Sequence, residues 1–167
     1  MNAAARPHFR IGIGEDSHRL APGGPLRIGG VDVPHDHSLI GHSDADVLLH
    51  AVTDALLGAA ALPDIGRMFP NTDEANRGRD SAIMLAAAAD EVARAGYRVV
   101  NLDCVIHAEQ PKFALYIDAM RERIAHFLRL DADQIGLKAK TGEGVGPIGR
   151  EELIETRCIA LLEAIET

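Results

Sequence analysis

The chain has no tryptophan, and only 4% of its 167 residues are aromatic. It has no basic excess either: Lys and Arg number 17 against 25 Asp and Glu, a formal net charge of −8. That balance argues against nucleic acid as a partner. A small anionic substrate is still allowed, because metals and backbone donors can hold one. Two cysteines, Cys104 and Cys158, are too few and too far apart for a disulfide framework, so buried thiols are expected. No apolar run approaches the length of a membrane span, so no membrane partner is expected. Residues 1–7 lack the apolar core of a secretory signal, which predicts a cytoplasmic location. Repeats, low-complexity tracts and linkers are missing too. With 47% hydrophobic and 25% charged residues, a single domain over 1–167 is the simplest expectation.

What the sequence does contain is a separated set of metal-ligand side chains. Asp16-Ser17-His18 ends a short apolar run, Phe9-Arg10-Ile11-Gly12-Ile13-Gly14. In a strand, side chains two apart share a face, so Asp16 and His18 would point together. His50 lies in a stretch that reads as a helix, with Val47, Leu48, Val52, Ala55 and Leu56 as its apolar face. Asp46, His50 and Asp54 fall four apart on a separate stripe, which offers two carboxylates to orient the imidazole. Two imidazoles and one carboxylate with an open fourth position form a catalytic zinc set. The bland alternative is a solvated acidic face. His35-Asp36-His37 could form a second metal group, although loop histidines are usually just solvated.

The remaining elements follow from punctuation and period. Leu26-Arg27-Ile28 and Val31-Asp32-Val33 flank Gly29-Gly30, a hairpin signal. Residues 34–42 read as a polar, mobile turn. Ser43 reads as a helix N-cap with Asp46 as its capping-box partner. Residues 62–73 form a structured loop, and 81–95 an alanine-rich helix stopped by Gly96. A strand at 99–108, a helix from about 113 to 128 and a strand at 135–140 come next. The glycine-rich stretch 141–149 contains Glu143, which taken alone reads as a turn carboxylate. The last segment, 152–166, fits a helix somewhat better than a strand. Alternating strands and helices make the class α/β or α+β. Gly12-Ile13-Gly14 fails as a dinucleotide fingerprint, because position 17 is serine and no helix follows directly.

Four segments in the right order and spacing, GEDSHRL, HSDADVLLHAVTDALLGAAALPDIGRMFPNTD, AEQPK and KTGEGVGPIGRE, resemble the 2-C-methyl-D-erythritol 2,4-cyclodiphosphate synthases, the cyclases of the non-mevalonate isoprenoid pathway. The resemblance implies a homotrimer of α/β subunits, each a small mixed sheet covered by helices on one face, with active sites at the subunit interfaces. It also implies that 152–166 is a strand. By position it puts zinc on Asp16, His18 and His50, with Ser17 beside them. His42 and Ser43 would meet the substrate's phosphates and polyol. Asp64, Ile65 and Gly66 would hold its hydroxyls, and Phe69, Pro70, Asn71, Thr72 and Asp73 would line the same region. Ala108, Glu109, Gln110, Pro111, Lys112, Phe113 and Ala114 match a cytidine pocket. Lys140, Thr141, Gly142 and Glu143 match a diphosphate site with magnesium or manganese, near Pro147 and a phosphate-contacting Arg150. His42 and Thr141 would stabilise developing charge during catalysis. Glu15, Ser17, Asn71, Lys140 and Pro147 depart from residues common in the family, and none of these changes removes a metal ligand.

The reaction implied is cyclisation of 4-diphosphocytidyl-2-C-methyl-D-erythritol 2-phosphate to the 2,4-cyclodiphosphate with release of CMP. The alternatives are a metal-dependent phosphohydrolase and a non-catalytic trimer that binds a prenyl phosphate or nucleotide.

Overall fold

Alternation of buried and exposed side chains along two long strands builds the framework. The computed structural model describes residues 7–166. Residues 1–6, most of the segment without a secretory core, lie outside them. The strands, in chain order, are β1 (Phe9–Pro22), β2 (Leu26–Ile28), β3 (Val31–Val33), β4 (His37–Leu39), β5 (Tyr97–His107), β6 (Ile135–Lys140) and β7 (Leu153–Ala164). The α-helices are α1 (Val47–Ala59), α2 (Ile65–Met68), α3 (Ser81–Arg94), α4 (Ile117–Leu128) and α5 (Gly146–Gly149).

Five strands form one mixed sheet in the order β4-β1-β7-β5-β6, and β2 pairs with β3 apart from it. All ladders in the large sheet are antiparallel except β5 with β6. On β7, Ile154, Thr156, Cys158, Ala160 and Leu162 are buried, whereas Arg157 and Ile159 between them are exposed. The buried face packs against α1, while α3 meets β5 and α4 meets β6. The opposite face carries Phe9, Ile11, Ile13 and Ile159, all exposed. This is the mixed sheet with helices on one face that the family resemblance implies. Cys104 and Cys158 sit opposite each other in the β5–β7 register, both fully buried with free thiols, as expected.

Two glycines let α1 lie flush on β1. A Cβ added at Gly12 would stand 2.2 Å from the Ala55 carbonyl oxygen, and one at Gly14 would stand 2.0 Å from that of Ala51. The G-x-G pair is thus a close-approach device between helix and strand. At the other end of α1, the buried Asp46 carboxylate accepts from the amides of Gly29 (2.8 Å), Gly30 (2.7 Å) and Leu49 (3.1 Å). It caps the helix and clamps the β2–β3 turn to it. Gly29 and Gly30 have φ of 62° and 71°, the left-handed pair a tight hairpin turn requires.

Several expectations are corrected here. Asp46, not Ser43, is the N-cap of α1, because Asp46 alone reaches the orphan amide of Leu49. The 34–42 stretch is not simply a turn: His37–Leu39 extends the sheet by pairing with residues 20–22 of β1. The 62–73 loop contains the short helix α2, capped by Asp64. The 152–166 segment is a strand, as the family resemblance implies and against its apparent helical period. Ile159 and Leu161 fall on the uncovered face, whose apolar character blurred the alternation.

Candidate active-site cleft

The strand pleat sends Asp16 and His18 to the helix-covered side of β1, and α1 brings His50 down onto them. His50 Nδ1 lies 2.9 Å and His18 Nδ1 3.1 Å from the same Asp16 oxygen, Oδ2. The two imidazole rings are 5.2 Å apart, centroid to centroid. One ligand atom from each of the three residues falls within 4.8 Å of the others. Burial on its own would raise the Asp16 carboxyl, but the two imidazoles beside it, His18 and His50, outweigh that and hold the group well below the usual carboxylate range. His18 Nδ1 is buried, and Asp16 Oδ2 at 3.1 Å is out of line for a hydrogen bond to it, so the nitrogen has no hydrogen-bond partner. A buried ring nitrogen left unpaired beside a carboxylate and a second imidazole is the arrangement a divalent metal ion satisfies. The donor set, two nitrogens and one oxygen, suits zinc.

The partners of His50 differ from those its helical stripe suggests. Asp46 is engaged by three backbone amides, and Asp54 accepts from Ile65 N at 2.8 Å. Burial raises the Asp54 carboxyl, and the neighbouring Asp64 and Asp16 charges add to that, while the Ile65 amide opposes it. His50 Nε2 instead meets Ser81 Oγ at 2.8 Å and Ser43 Oγ at 3.1 Å. Ser81 also donates to the Asp44 carboxylate. With the Ser81 proton committed to Asp44, its oxygen is free to accept from Nε2–H, which leaves the Nδ1 lone pair facing Asp16. Sequence reasoning missed Asp44 and Ser81. Ser81 lies 31 positions from His50 and sits at a helix start, where a serine reads as a capping residue.

These residues open onto a cleft lined by His42, Ser43, Ile65, Gly66, Phe69 and Asn71 as well as the three candidate ligands. His42 Nε2 is buried there without a hydrogen-bond partner. Asn76 and Met84 also line the cleft and were not anticipated; Asp54, expected only as a partner of His50, lines it too. Asp64 stands to one side, its carboxylate accepting from Arg67 N at 2.8 Å. The Pro70 carbonyl accepts from the Asn76 amide at 3.0 Å, and Asp73 accepts from Ala75 N at 3.0 Å, so this part of the rim holds itself. Thr72 is exposed in the same turn. Ser17 is not brought to the cleft. Its place between Asp16 and His18 turns it to the uncovered face, beside Glu15 and Arg157.

The other anticipated residues gather elsewhere. Ala108 N donates to the Lys140 carbonyl at 2.9 Å, and Glu109 Oε2 accepts from Gly142 N at 3.0 Å. Thr141 Oγ1 donates to Glu143 at 2.8 Å, and Lys112 Nζ to the Glu109 carbonyl at 2.9 Å. Phe113 is buried and anchors the 108–114 segment, with Gln110, Pro111 and Ala114 around it. Arg150 pairs with Glu152 at 2.6 Å, and the amide of Glu152 reaches back to the Pro147 carbonyl. None of these residues lines the cleft. The strand order explains the separation of Lys140 and the Glu143 turn that follows it: β7 and β5 stand between β1 and β6, so three spacings of ~4.8 Å put the end of β6 about 14 Å from β1 across the sheet. Glu143 is exposed, with hard oxygen donors from its carboxylate and Thr141. That set suits magnesium or manganese completed by phosphate oxygens.

Comparisons with known proteins agree on one family. The model of the YgbB family matches residues 9–163. A 2-C-methyl-D-erythritol 2,4-cyclodiphosphate synthase of Rhodopirellula baltica is 58% identical over 154 residues, spanning 92% of this chain and 93% of its own. The solved structure of a 2C-methyl-D-erythritol-2,4-cyclodiphosphate synthase aligns with a TM-score of 0.85 at 40% identity, over 92% of this chain and all (100%) of the other. A synthase structure in a form bound to CDP aligns with a TM-score of 0.85 at 38% identity, over the same 92% and 100%.

Proposed function

Because this chain belongs to the YgbB family of 2-C-methyl-D-erythritol 2,4-cyclodiphosphate synthases, we propose that it converts 4-diphosphocytidyl-2-C-methyl-D-erythritol 2-phosphate to 2-C-methyl-D-erythritol 2,4-cyclodiphosphate and CMP. It is a phosphorus-oxygen lyase of isoprenoid precursor biosynthesis. The observation that carries this reading is the Asp16–His18–His50 cluster, with its unpaired His18 nitrogen, at the floor of a cleft.

An oxygen of the substrate's own 2-phosphate forms a bond to the β-phosphorus. The bond from that phosphorus to the bridging oxygen breaks, and the electron pair leaves on CMP. A phosphate is already ionised at neutral pH, so the reaction needs no side-chain nucleophile and no strong base. Positioning and charge neutralisation supply most of the catalysis. Asp16, His18 and His50 would hold zinc, and Glu143 magnesium or manganese; when bound, such ions supply Lewis-acid polarisation and neutralise phosphate charge. His42, with its free buried nitrogen, and Ser43 donate to phosphate oxygens in the cleft. Asp64, Ile65 and Gly66 hold the polyol hydroxyls, flanked by Phe69 to Asp73. Backbone groups of 108–114 read the cytosine edge. Lys140, Thr141, Gly142 and Arg150 meet the diphosphate, with Pro147 beside them.

The two groups of residues form one site only across a subunit boundary. We read the assembly as a homotrimer in which the cleft of one subunit faces the cytidine and Glu143 segment of its neighbour. The exposed Phe9, Ile11, Ile13 and Ile159 support it, since an apolar sheet face of this kind needs cover. A single unit spanning 1–167 and a cytoplasmic location complete the reading, in keeping with two unpaired thiols. No described helix is long and apolar enough to cross a membrane.

Turnover of the proposed substrate, followed by phosphorus NMR in 18O-labelled water, tests the chemistry. The expected result is one CMP per cyclic diphosphate, with no label in the product. Well-oriented internal nucleophiles reach effective concentrations on the order of 10⁵ M, which water cannot match. Label in the product, or a linear bisphosphate accumulating with CMP, would make the chain a hydrolase.

A further inference from the structure

A second group of metal-binding side chains lies away from the cleft, where β4 begins. His35, Asp36 and His37 are consecutive, and one ligand atom from each falls within 4.8 Å of the others. Asp36 Oδ1 stands 2.7 Å from His37 Nδ1 and 3.7 Å from His35 Nδ1. The two rings are 5.6 Å apart with an interplanar angle of 39°. Three adjacent residues seldom converge in this way, because a regular strand would send the middle side chain to the opposite face. Here the backbone bends at the entry to β4, and the carboxylate comes to lie between the two imidazoles.

The bend is fixed by the surrounding chain. The Asp36 carbonyl accepts from Gly23 N at 2.8 Å, and His37 is in register with Pro22 on β1. The His35 carbonyl lies so close to Gly24 that a Cβ there would stand 1.9 Å from it. The His35 side chain is only 14% exposed, whereas Asp36 is 84% exposed. One imidazole is therefore packed in place, and the carboxylate opens the group to an incoming ion. Ordering of the ligands before binding lowers the entropy that binding must offset.

We propose that His35, Asp36 and His37 form a second divalent transition-metal site, distinct from the cleft. Two imidazoles and one carboxylate favour zinc, copper or nickel over magnesium or calcium, which prefer all-oxygen shells. Water completes the coordination on the exposed side. The site is separate from Asp16–His18–His50: Pro22, the register partner of His37, is four residues beyond His18 on β1, about 13 Å along the strand. It is nevertheless linked to the cleft through the chain, because β4 runs directly into Ile40, Gly41 and His42. An ion bound at the head of β4 ties down the strand from which the His42 loop springs.

The test is a zinc titration of the full chain after stripping with a chelator, using a competing chromophoric chelator to count equivalents. Four proteins are compared: the wild type, His35→Ala/His37→Ala, His50→Ala, and the triple variant. We expect two equivalents per chain in the wild type, one in each of the first two variants, and none in the triple variant. A wild type and a His35→Ala/His37→Ala variant with equal zinc content would overturn the proposal, whether that content is one equivalent or two. A second measurement covers the case in which a variant fails to fold. Wild-type protein preloaded with one equivalent of zinc is titrated with Co²⁺ while its histidine side chains are watched by NMR. Broadening of the His35 and His37 resonances ahead of the other histidines supports the site, and uniform or absent broadening refutes it.

Discussion

The two groups of residues assigned to the reaction are held in different ways. Around Asp16 the groups are buried or half-buried and face one another: two imidazoles stand against one carboxylate oxygen, and a serine hydroxyl beside His50 donates to Asp44. Around Glu143 the loop is exposed, Glu143 itself has φ of 52°, and Gly144 and Gly146 both have φ of 71°. The first group is shaped by the core on which it rests, because α1, β1 and α3 each contribute a side chain. The second is shaped by local turns and by Glu109, which gathers the amides of Gly142 and Gly144. Preorganisation is therefore complete on one side of the sheet, whereas the other side presents donors outward, as a surface that meets a neighbour would.

The most severe way to break this contrast is to remove a cleft ligand. His50→Ala should lose the zinc equivalent bound in the cleft and about 10³-fold or more in kcat/KM, with the fold retained by circular dichroism. Zinc content equal to wild type in that variant would refute the ligand assignment. Glu143→Gln should cost roughly 10²-fold in activity with zinc content unchanged, and raised magnesium should recover part of the loss. Mixing these two inactive proteins under subunit exchange sharpens the comparison. In a trimer with interfacial sites, roughly a quarter of the interfaces pair an intact cleft with an intact Glu143, and activity should return to that extent. No recovery, together with a one-subunit mass in light scattering of active wild-type protein, would place both groups within a single chain. Ser81→Ala should weaken zinc binding by roughly 10- to 100-fold, with partial rescue by Ser81→Thr, because the hydroxyl orients His50 and does not touch the ion. The smallest effect is expected at Thr156, whose buried hydroxyl donates to the Val47 carbonyl at 2.7 Å. Thr156→Val should cost about 1 kcal/mol in urea unfolding and leave zinc content alone.

The same contrast governs what could be read in advance. Asp16 and His18 were legible because a strand period of two brings them together, and His50 because the helix around it is strongly patterned. The hairpin at Gly29-Gly30 and the strand at 135–140 carried equally local signals. Ser81 and Asp44 were not legible, since what joins them to His50 is the packing of α3 on α1, and nothing in their spacing encodes it. The role of Asp46 was misread for a related reason: its carboxylate is taken by the amides of a hairpin 16 and 17 residues away. The Glu143 group came only from likeness to a family, because an isolated carboxylate in a glycine-rich turn carries no chemical signature of its own. The strand at the C-terminal end looked helical because both of its faces are apolar over part of their length, which is what a second buried face would leave in a sequence.

Gly12 and Gly14 have a further consequence. The absence of two side chains sets the thickness of the layer between α1 and β1, and that thickness sets the gap in which Asp16 and His50 meet. The pair acts as a spacer gauge for the candidate metal ligands, four and two residues before Asp16 on β1. Two positions that offer no side chain to the cleft therefore control the spacing of the side chains that do. A single methyl group at either one would push α1, and His50 with it, away from Asp16 without changing any reactive residue.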